Sequence, residues 1–418
     1  YMKKFVCFLF IVFLPIITAS QTIKIGDWDI HANYNEISAM ETANNKVYVG
    51  TTLGLFIYDQ IDNSLSTISK IDGLSSLYIS ALTYDQNNNS LLIGYSDGNI
   101  DILQNNTVIN FPDILFANIV GDKRINNIFT YNNLAYISCS FGLVIYNLEK
   151  REVKETCYFY DENGMGSNVY QVHVFDDDIY ESNDVFLSNK IFASTSSGLF
   201  YASKNDNLIN SSSWLNDLEY MLPDLGNFSI KNTIVKHVIG IDLKKKGGKK
   251  LIIGTDINYA EISKNDLGYN LFEFVNLNTS SLASFVPKDV PGSILKINYN
   301  DDAKKFVITL SDNIIVLMNE LLNVNYYLNG DNVAEAKNNS SLSLVNGIVI
   351  DNYSSSKLLL LGDEYQGVML VKTIGDKLSF VDFLCPNGPI SANTGTIVSN
   401  ESSLMFTHGA KTTSWNNA

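Results

Sequence analysis

Basic residues, cysteine and histidine are scarce in this chain, and each scarcity closes off a class of function. Lys and Arg number 29 against 44 Asp and Glu, a formal net charge of −15. Binding along a phosphate backbone needs clustered cations, so a general affinity for nucleic acid is excluded and adsorption to an anionic membrane is disfavoured. The four histidines, His31, His173, His237 and His408, stand far apart, with no H-E-x-x-H and no paired Cys/His spacing. No metal centre is expected from such isolated ligands. There is no G-x-S-x-G elbow, Walker loop or dinucleotide fingerprint in a strand–turn–helix context, so no catalytic residue and no cofactor site is assigned. Helical periodicity is missing too: beyond the first residues no long segment repeats its apolar positions every 3.6 residues.

What remains is a chain rich in β-formers, 45% hydrophobic and 11% aromatic, able to bury a large interior. Its first 20 residues form a separate piece. Lys3 and Lys4 precede an apolar run from Phe5 to Ile17, then Thr18-Ala19-Ser20-Gln21. A basic start, about 13 apolar residues and a small polar end predict a secretory signal peptide, because a membrane-spanning helix needs roughly 20. The mature chain is expected to be exported, with no transmembrane segment. Cys139, Cys157 and Cys385 remain after processing. Cys139 and Cys157 fall on strands of one repeat, where either a disulfide or two buried free thiols fits.

The unit of construction is Lys46-Val47-Tyr48-Val49-Gly50-Thr51-Thr52-Leu53-Gly54-Leu55-Phe56-Ile57-Tyr58-Asp59. An apolar run ends in a small residue, a Gly-containing turn follows, and a second apolar run closes the phrase. This predicts a β-hairpin. Copies begin at Leu91, Ala135 and Ile191, with weaker ones at Lys250, Lys305 and Lys357. Asn258, Asn313 and Gly367 stand at the turns of the weaker copies. Each hairpin is preceded by an alternating run such as Ile79-Ser80-Ala81-Leu82 and an Asn-rich turn, and followed by a weaker strand such as Ser64 to Ile68. The small residues Gly50, Gly94, Ser138 and Ser194 are spaced by about 44, 44 and 56 residues, the period of four-stranded propeller blades. A β-sandwich accounts for many short strands but not for recurrence of one four-strand phrase. The expected fold is all-β, a seven-bladed β-propeller of four-stranded antiparallel blades over residues 21–384, with six or eight blades open at the weaker end. Ser213 to Tyr220 reads as one or two helical turns in the fourth blade's long loop. Residues 385–418 read as a linker, Pro386-Asn387-Gly388-Pro389, and the first strands of a truncated second propeller.

Two charged clusters interrupt the pattern. Asp176-Asp177-Asp178, with Glu181 and Asp184, lacks the D-x-D-x-D-G spacing of a calcium loop and is expected to be a solvated loop, a calcium site being the sharper alternative. Lys244-Lys245-Lys246-Gly247-Gly248-Lys249-Lys250 is expected to form an exposed hairpin tip, the alternative being contact with an anionic glycan or a partner. His173, flanked by Val172 and Val174, is read as a structural strand residue. The aromatic stripe of Phe56, Tyr58, Tyr146, Phe200 and Tyr201 is read as blade-to-blade core rather than a carbohydrate platform.

The opening Gly26-Asp27-Trp28-Asp29-Ile30-His31 with Tyr34-Asn35, the turns Gly54-Leu55, Gly142-Leu143 and Gly198-Leu199, Glu162-Asn163-Gly164, and the junction Pro386-Asn387-Gly388-Pro389-Ile390-Ser391 resemble the PorZ family of type IX secretion components of Bacteroidetes. The resemblance implies two seven-bladed propellers and a C-terminal β-sandwich, of which this chain is an N-terminal fragment. It implies a non-enzymatic accessory subunit at the outer-membrane surface, in an attachment complex with a PorU-type sortase and PorV- and PorQ-like proteins, delivering anionic lipopolysaccharide to the sortase for linkage to cargo. It carries no catalytic or ligand-binding residue onto this sequence. The alternative is the periplasmic, oligosaccharide-sensing propeller of a hybrid two-component regulator.

Overall fold

The computed structural model describes residues 32–181, 184–222, 226–244, 247–255, 271–276, 283–288, 292–300, 303–329, 342–351, 358–374, 377–386, 394–399 and 404–408. The leader, the motif at residues 26–31, Lys245, Lys246, Asn258 and the linker from Asn387 lie outside these residues. Among the described residues no helix is long and apolar enough to cross a membrane.

The first repeat folds as its pattern predicts. Strands Ile37–Ala43, Lys46–Thr51, Leu55–Asp59 and Ser64–Ile68 pair in sequence order as one antiparallel sheet. Asn-rich turns close the hairpins: Asn44 and Asn45, Asn105 and Asn106, and Asp312 and Asn313 take positive φ, which Asn and Asp tolerate better than other side-chain-bearing residues. Seven such sheets follow one another, with inner strands beginning at Ile37, Ile79, Ile125, Val169, Val235, Ile294 and Leu344. The protein is a seven-bladed, all-β propeller.

The core is a succession of layers between blades. One cluster joins Ala39, Tyr48 and Leu55 of blade 1 to Ile79, Leu82 and Ile93 of blade 2. The next joins Leu92 and Ile100 of blade 2 to Ile125, Ile128 and Val144 of blade 3. The seven residues that open the inner strands are all buried. Immediately after each of them the pairing slips by one residue, a β-bulge repeated in every blade. A bulge bends its strand and re-aims a side chain. Here the re-aimed residue bonds the neighbouring blade: Ser38 Oγ donates to Ile79 O at 2.5 Å, Ser80 Oγ to Ile125 O at 2.6 Å, and Asn126 Nδ2 to Val169 O at 2.7 Å. Each bond contributes about 1 kcal/mol net.

The small residue of the repeat is the socket for that opening residue. A Cβ placed on Gly50 would stand 2.5 Å from Ile79 Cγ2, and one on Gly94 would stand 2.7 Å from Ile125 Cγ2. The same relation closes the ring, since a Cβ on Gly362 of blade 7 would meet Met40 Sδ at 2.8 Å and Ile37 Cγ2 at 3.0 Å in blade 1. The segment leading into blade 1 clasps this seam: Gly367 N donates to Asn35 O at 2.9 Å, and the Cys385 thiol lies 2.7 Å from Asn35 Oδ1.

Blade 4 departs from expectation. It has three strands, Val169–Val174, Lys190–Thr195 and Gly198–Ser203, and its fourth is reduced to a single bridge between Tyr201 and Leu215. The stretch Ser213 to Tyr220 is not helical. A short 3-10 turn, Ser211–Ser213, precedes it, and Trp214 is extended. Its buried indole donates to Leu208 O at 3.0 Å and packs edge-on against Phe159, which fixes the chain across the blade's outer side. The hairpin Glu219–Leu222 and Gly226–Ser229 then adds in parallel to strand Ala283–Pro287, widening blade 5 to six strands. Beyond blade 7, Thr394–Ser399 and Leu404–His408 pair as a two-stranded hairpin.

The disulfide alternative is excluded. Cys139 pairs with Gly142 and Cys157 with Leu143, so a whole strand separates them, and they belong to different core layers. Strands are spaced about 4.8 Å apart, which puts the two Cα atoms beyond disulfide reach. Both thiols are free and buried, and burial pushes the Cys157 thiol up to about 12.

Gly94→Val is expected to destabilise the fold by about 1–3 kcal/mol through overpacking against Ile125. Gly166→Ala, which meets nothing within 4 Å, is expected to leave the denaturant midpoint unchanged, and urea titration of the two variants checks the contrast.

Candidate functional site

Three places in the ring gather the residues singled out above: the inner strands around the channel, the acidic loop of blade 4, and the rim over blade 3.

The inner strands carry most of the inward-facing ionisable groups. His173 of blade 4 packs between Phe129, with ring centroids 4.8 Å apart, and Phe175 at 4.6 Å. Burial among aromatics disfavours the imidazolium and lowers its pKa to about 3. His237 of blade 5 is lowered likewise to about 3, by burial first and then by the Lys296 charge. Glu41 of blade 1 is raised to about 7 by burial, offset in part by the Thr42 N–H, 2.9 Å from Oε1, and by Lys296. Burial also lowers Lys296. Both Glu41 and Lys296 keep partial contact with solvent while being ringed by protein. A recess of about 100 Å³ beside Glu41 is lined by Met40, Asn298, Asn300 and Ile348, residues of blades 1, 6 and 7. Of the described histidines, His173 and His237 are kept neutral by burial and stand on different blades. His31 lies outside the described residues, and His408 sits on the hairpin beyond blade 7.

The acidic loop is organised by a lysine. Lys249, whose side chain has no solvent exposure, reaches into it from blade 5. Its ammonium contacts Asp176 Oδ1 at 2.7 Å, Asp176 O at 3.2 Å, Ser188 Oγ at 3.0 Å and the Asp178 carbonyl. The buried Asp184 carboxylate accepts from Lys249 N at 2.7 Å, Tyr180 N at 2.7 Å and Glu181 N at 2.9 Å. Asp177 pairs with Lys204 at 2.8 Å, and Asp178 accepts from the Tyr180 hydroxyl at 2.9 Å. The loop is solvated at its edge, as expected, where Asp177, Asp178 and Glu181 are exposed, and is internally bonded beneath through Asp176 and Asp184. An ammonium fills the place a calcium ion would take, and among the described residues no group of His, Cys, Asp or Glu is arranged to hold a metal.

The expected hairpin forms between Val235–Asp242 and Lys249–Thr255, and Lys244 at its tip is exposed, but Lys249 and Lys250 are not part of an exposed tip. They belong to the strand Lys249–Thr255, and Lys250 pairs with Glu273 at 2.8 Å. Gly248 adopts φ +64 and passes so close beneath the cradle that a Cβ there would stand 2.7 Å from Asp184 Oδ1. Sequence spacing could not reveal that two runs of opposite charge, more than sixty residues apart, meet across a blade interface.

The rim over blade 3 escaped sequence reasoning altogether. The connection entering the blade (residues 112–124), the turn Ser140–Phe141 and the connection leaving it (158–168) gather at one end of its strands. Ser140 N donates to Arg124 O at 3.0 Å, and Gly142 lies against Cys157 O. Between them is a groove of about 400 Å³ lined by Val120, Asp122, Ser140, Phe141, Tyr158 and Gly166. The Phe141 and Tyr158 rings are tilted 47° at 6.3 Å. The available signal was the presence of Phe116, Val120, Tyr158, Tyr160 and Met165 in turn-rich connections that need no apolar side chain.

Part of this ring is similar to a known family. Residues 47–215 match the family model for the type IX secretion system PorZ N-terminal β-propeller domain. Over that stretch the chain is PorZ-like. The solved structure of PorZ from Porphyromonas gingivalis, described as an essential bacterial surface component of the type-IX secretion system, superposes with a TM-score of 0.59 at 17% identity, covering 90% of this chain and 42% of that one. The β-propeller domain of Cps50 (Swd1) from Myceliophteria thermophila superposes at 0.50 with 10% identity, covering 78% of this chain and 93% of that one. At such identities the likeness is one of fold. No functionally curated protein sequence matches the chain. The PorZ-like propeller thus spans less than half the length of the PorZ chain it superposes on.

The charges of this PorZ-like ring carry three predictions. Lys249→Met removes the ammonium from the Asp176 carboxylate and the Asp176 and Asp178 carbonyls, leaves the backbone bond to Asp184 in place, and is expected to cost about 2 kcal/mol in chemical denaturation. Millimolar calcium is expected to leave the midpoint of the unmodified protein unchanged. In acid, the depressed pKa of His173 makes the native state bind fewer protons than the unfolded chain. Its stabilising effect is complete above the ordinary value of 6.5 and is lost as pH falls toward about 3. His173→Phe is expected to move the acid-unfolding midpoint to lower pH, measured by circular dichroism. Glu41 has the opposite sign: its raised pKa favours the fold below 4.5 and loses that effect as pH rises through about 7.

Proposed function

We propose that this PorZ-like propeller belongs to a non-enzymatic accessory subunit of the type IX secretion attachment complex at the outer-membrane surface. In this reading the subunit works with a PorU-type sortase and PorV- and PorQ-like outer-membrane proteins, and helps deliver anionic lipopolysaccharide to the sortase for linkage to secreted cargo. The observation that carries it is the family match over residues 47–215, running from the second strand of blade 1 through blades 2 and 3 and all of blade 4's strands. The chemistry of the ring supports the non-enzymatic part. His173 and His237 are kept neutral by burial, and the acidic loop of blade 4 is occupied by the chain's own Lys249.

Deletion of the gene in its native host tests the proposal. Type IX cargo is expected to accumulate without lipopolysaccharide linkage, and full-length protein supplied in trans is expected to restore it. Normal cargo release and modification, with loss of an oligosaccharide-induced transcriptional response, would replace this reading with the sensor.

A further inference from the structure

The groove over blade 3 sits in the middle of a concentration of exposed apolar side chains. On the two connections that flank it, Val120 is 96% exposed, Phe116 79% and Met165 67%, and Tyr158 and Tyr160 are also exposed. These positions are presented rather than slack. The one-turn helix Asp113–Phe116 is anchored by buried Ile114, and the Lys123 ammonium donates to Leu115 O and Ala117 O, both at 2.7 Å. On the other side Asp161 Oδ1 accepts from Asn163 N at 2.9 Å and Met165 N at 2.8 Å, and Tyr160 bridges to Gly166. Two braced loops therefore hold large apolar side chains out into water at the cost of their hydration. Contiguous exposed apolar surface of this kind, rich in Tyr, Phe and Met, marks protein interfaces.

We propose that this rim is a docking site for a basic, apolar-anchored segment of a partner protein, its anchor seated between Phe141 and Tyr158. Charge selects this occupant. The chain carries a net charge of −15, which opposes docking of a second copy, and Asp122 stands in the groove wall itself. Of the nearby cations, Lys123 is bonded to the helix carbonyls and Lys231 pairs with Glu162 at 3.3 Å, while exposed Arg124 is outnumbered on the two connections by Asp113, Asp122, Asp161 and Glu162. Exposed aliphatic groups such as Val120 and Met165 suit a protein anchor, whereas a saccharide needs hydroxyl-matching donors and acceptors at those points. The inference deepens the reading above and rests on it only for the subunit's having a protein partner.

The test places a photo-crosslinking amino acid at Val120 or Met165 in the full-length protein in its native host, with Ile61 on the opposite rim as control. The expected adduct is one peptide, net positive and carrying an aromatic or aliphatic residue, that is absent from the control. The synthetic peptide is expected to bind the purified protein about tenfold or more weakly to Tyr158→Ala and to Val120→Lys, and reversing its charges is expected to abolish binding. Three outcomes overturn the proposal: adducts indistinguishable from the Ile61 control, adducts to glycan or to another part of the same chain, or peptide binding indifferent to both variants. A secretion defect on gene deletion combined with any of these would sink the docking site alone. A specific basic-peptide adduct without a secretion defect would sink only the assignment to type IX secretion.

Discussion

No blade of this protein can bury both of its own faces. That single constraint accounts for the bulge, the socket and the small residue that recur around the ring. A four-stranded sheet with two apolar faces is stable only when something covers each face, and here the cover is always the next sheet. The inner strand must then reach sideways as well as pair. The one-residue slip after Ile37, Ile79, Ile125 and their counterparts lets it do both, seating an apolar side chain against its neighbour and aiming the following polar group at that neighbour's backbone. Stability of this sort is a sum of nearest-neighbour terms, as in other repeat architectures, except that the last term joins the two ends.

The features that lie along one strand could be read without coordinates. Alternation in Ile79–Asp85, the small residue at Gly94 and the paired turn residues Asn105 and Asn106 each reflect local rules, and the structure bears them out. What could not be read depends on meetings across sheets. The truncation of blade 4 turns on Trp214 lodging against Phe159 of another blade's edge, and a sequence window sees only an apolar residue in a polar stretch. The acidic run is solvated at its edge as its composition suggests, but its bonded inner side was hidden because the lysine that fills it arrives from a strand more than sixty residues away. The rim groove left a faint trace, apolar residues in loops, which pattern-reading tends to discount because loops carry no period.

Charge is handled differently at different radii. Toward the axis, burial shifts Glu41 and Lys296 toward their neutral forms and disfavours charging of His173 and His237. At the acidic cradle Lys249 instead satisfies several oxygens together, the arrangement a buried ion pair needs. The rim combines apolar projection with a modest acidic bias.

The seam between blades 7 and 1 has a mechanical meaning. Every other interface is crossed by the polypeptide itself, but here the packing of strand Leu344–Asp351 on Ile37–Ala43, Gly362 against Met40, the Gly367–Asn35 bond and the thiol of Cys385 hold the ring. Tension applied between Asn35 and Leu384 would therefore load these noncovalent contacts before any sheet is sheared. The circle would open like a clasp, with each blade still intact.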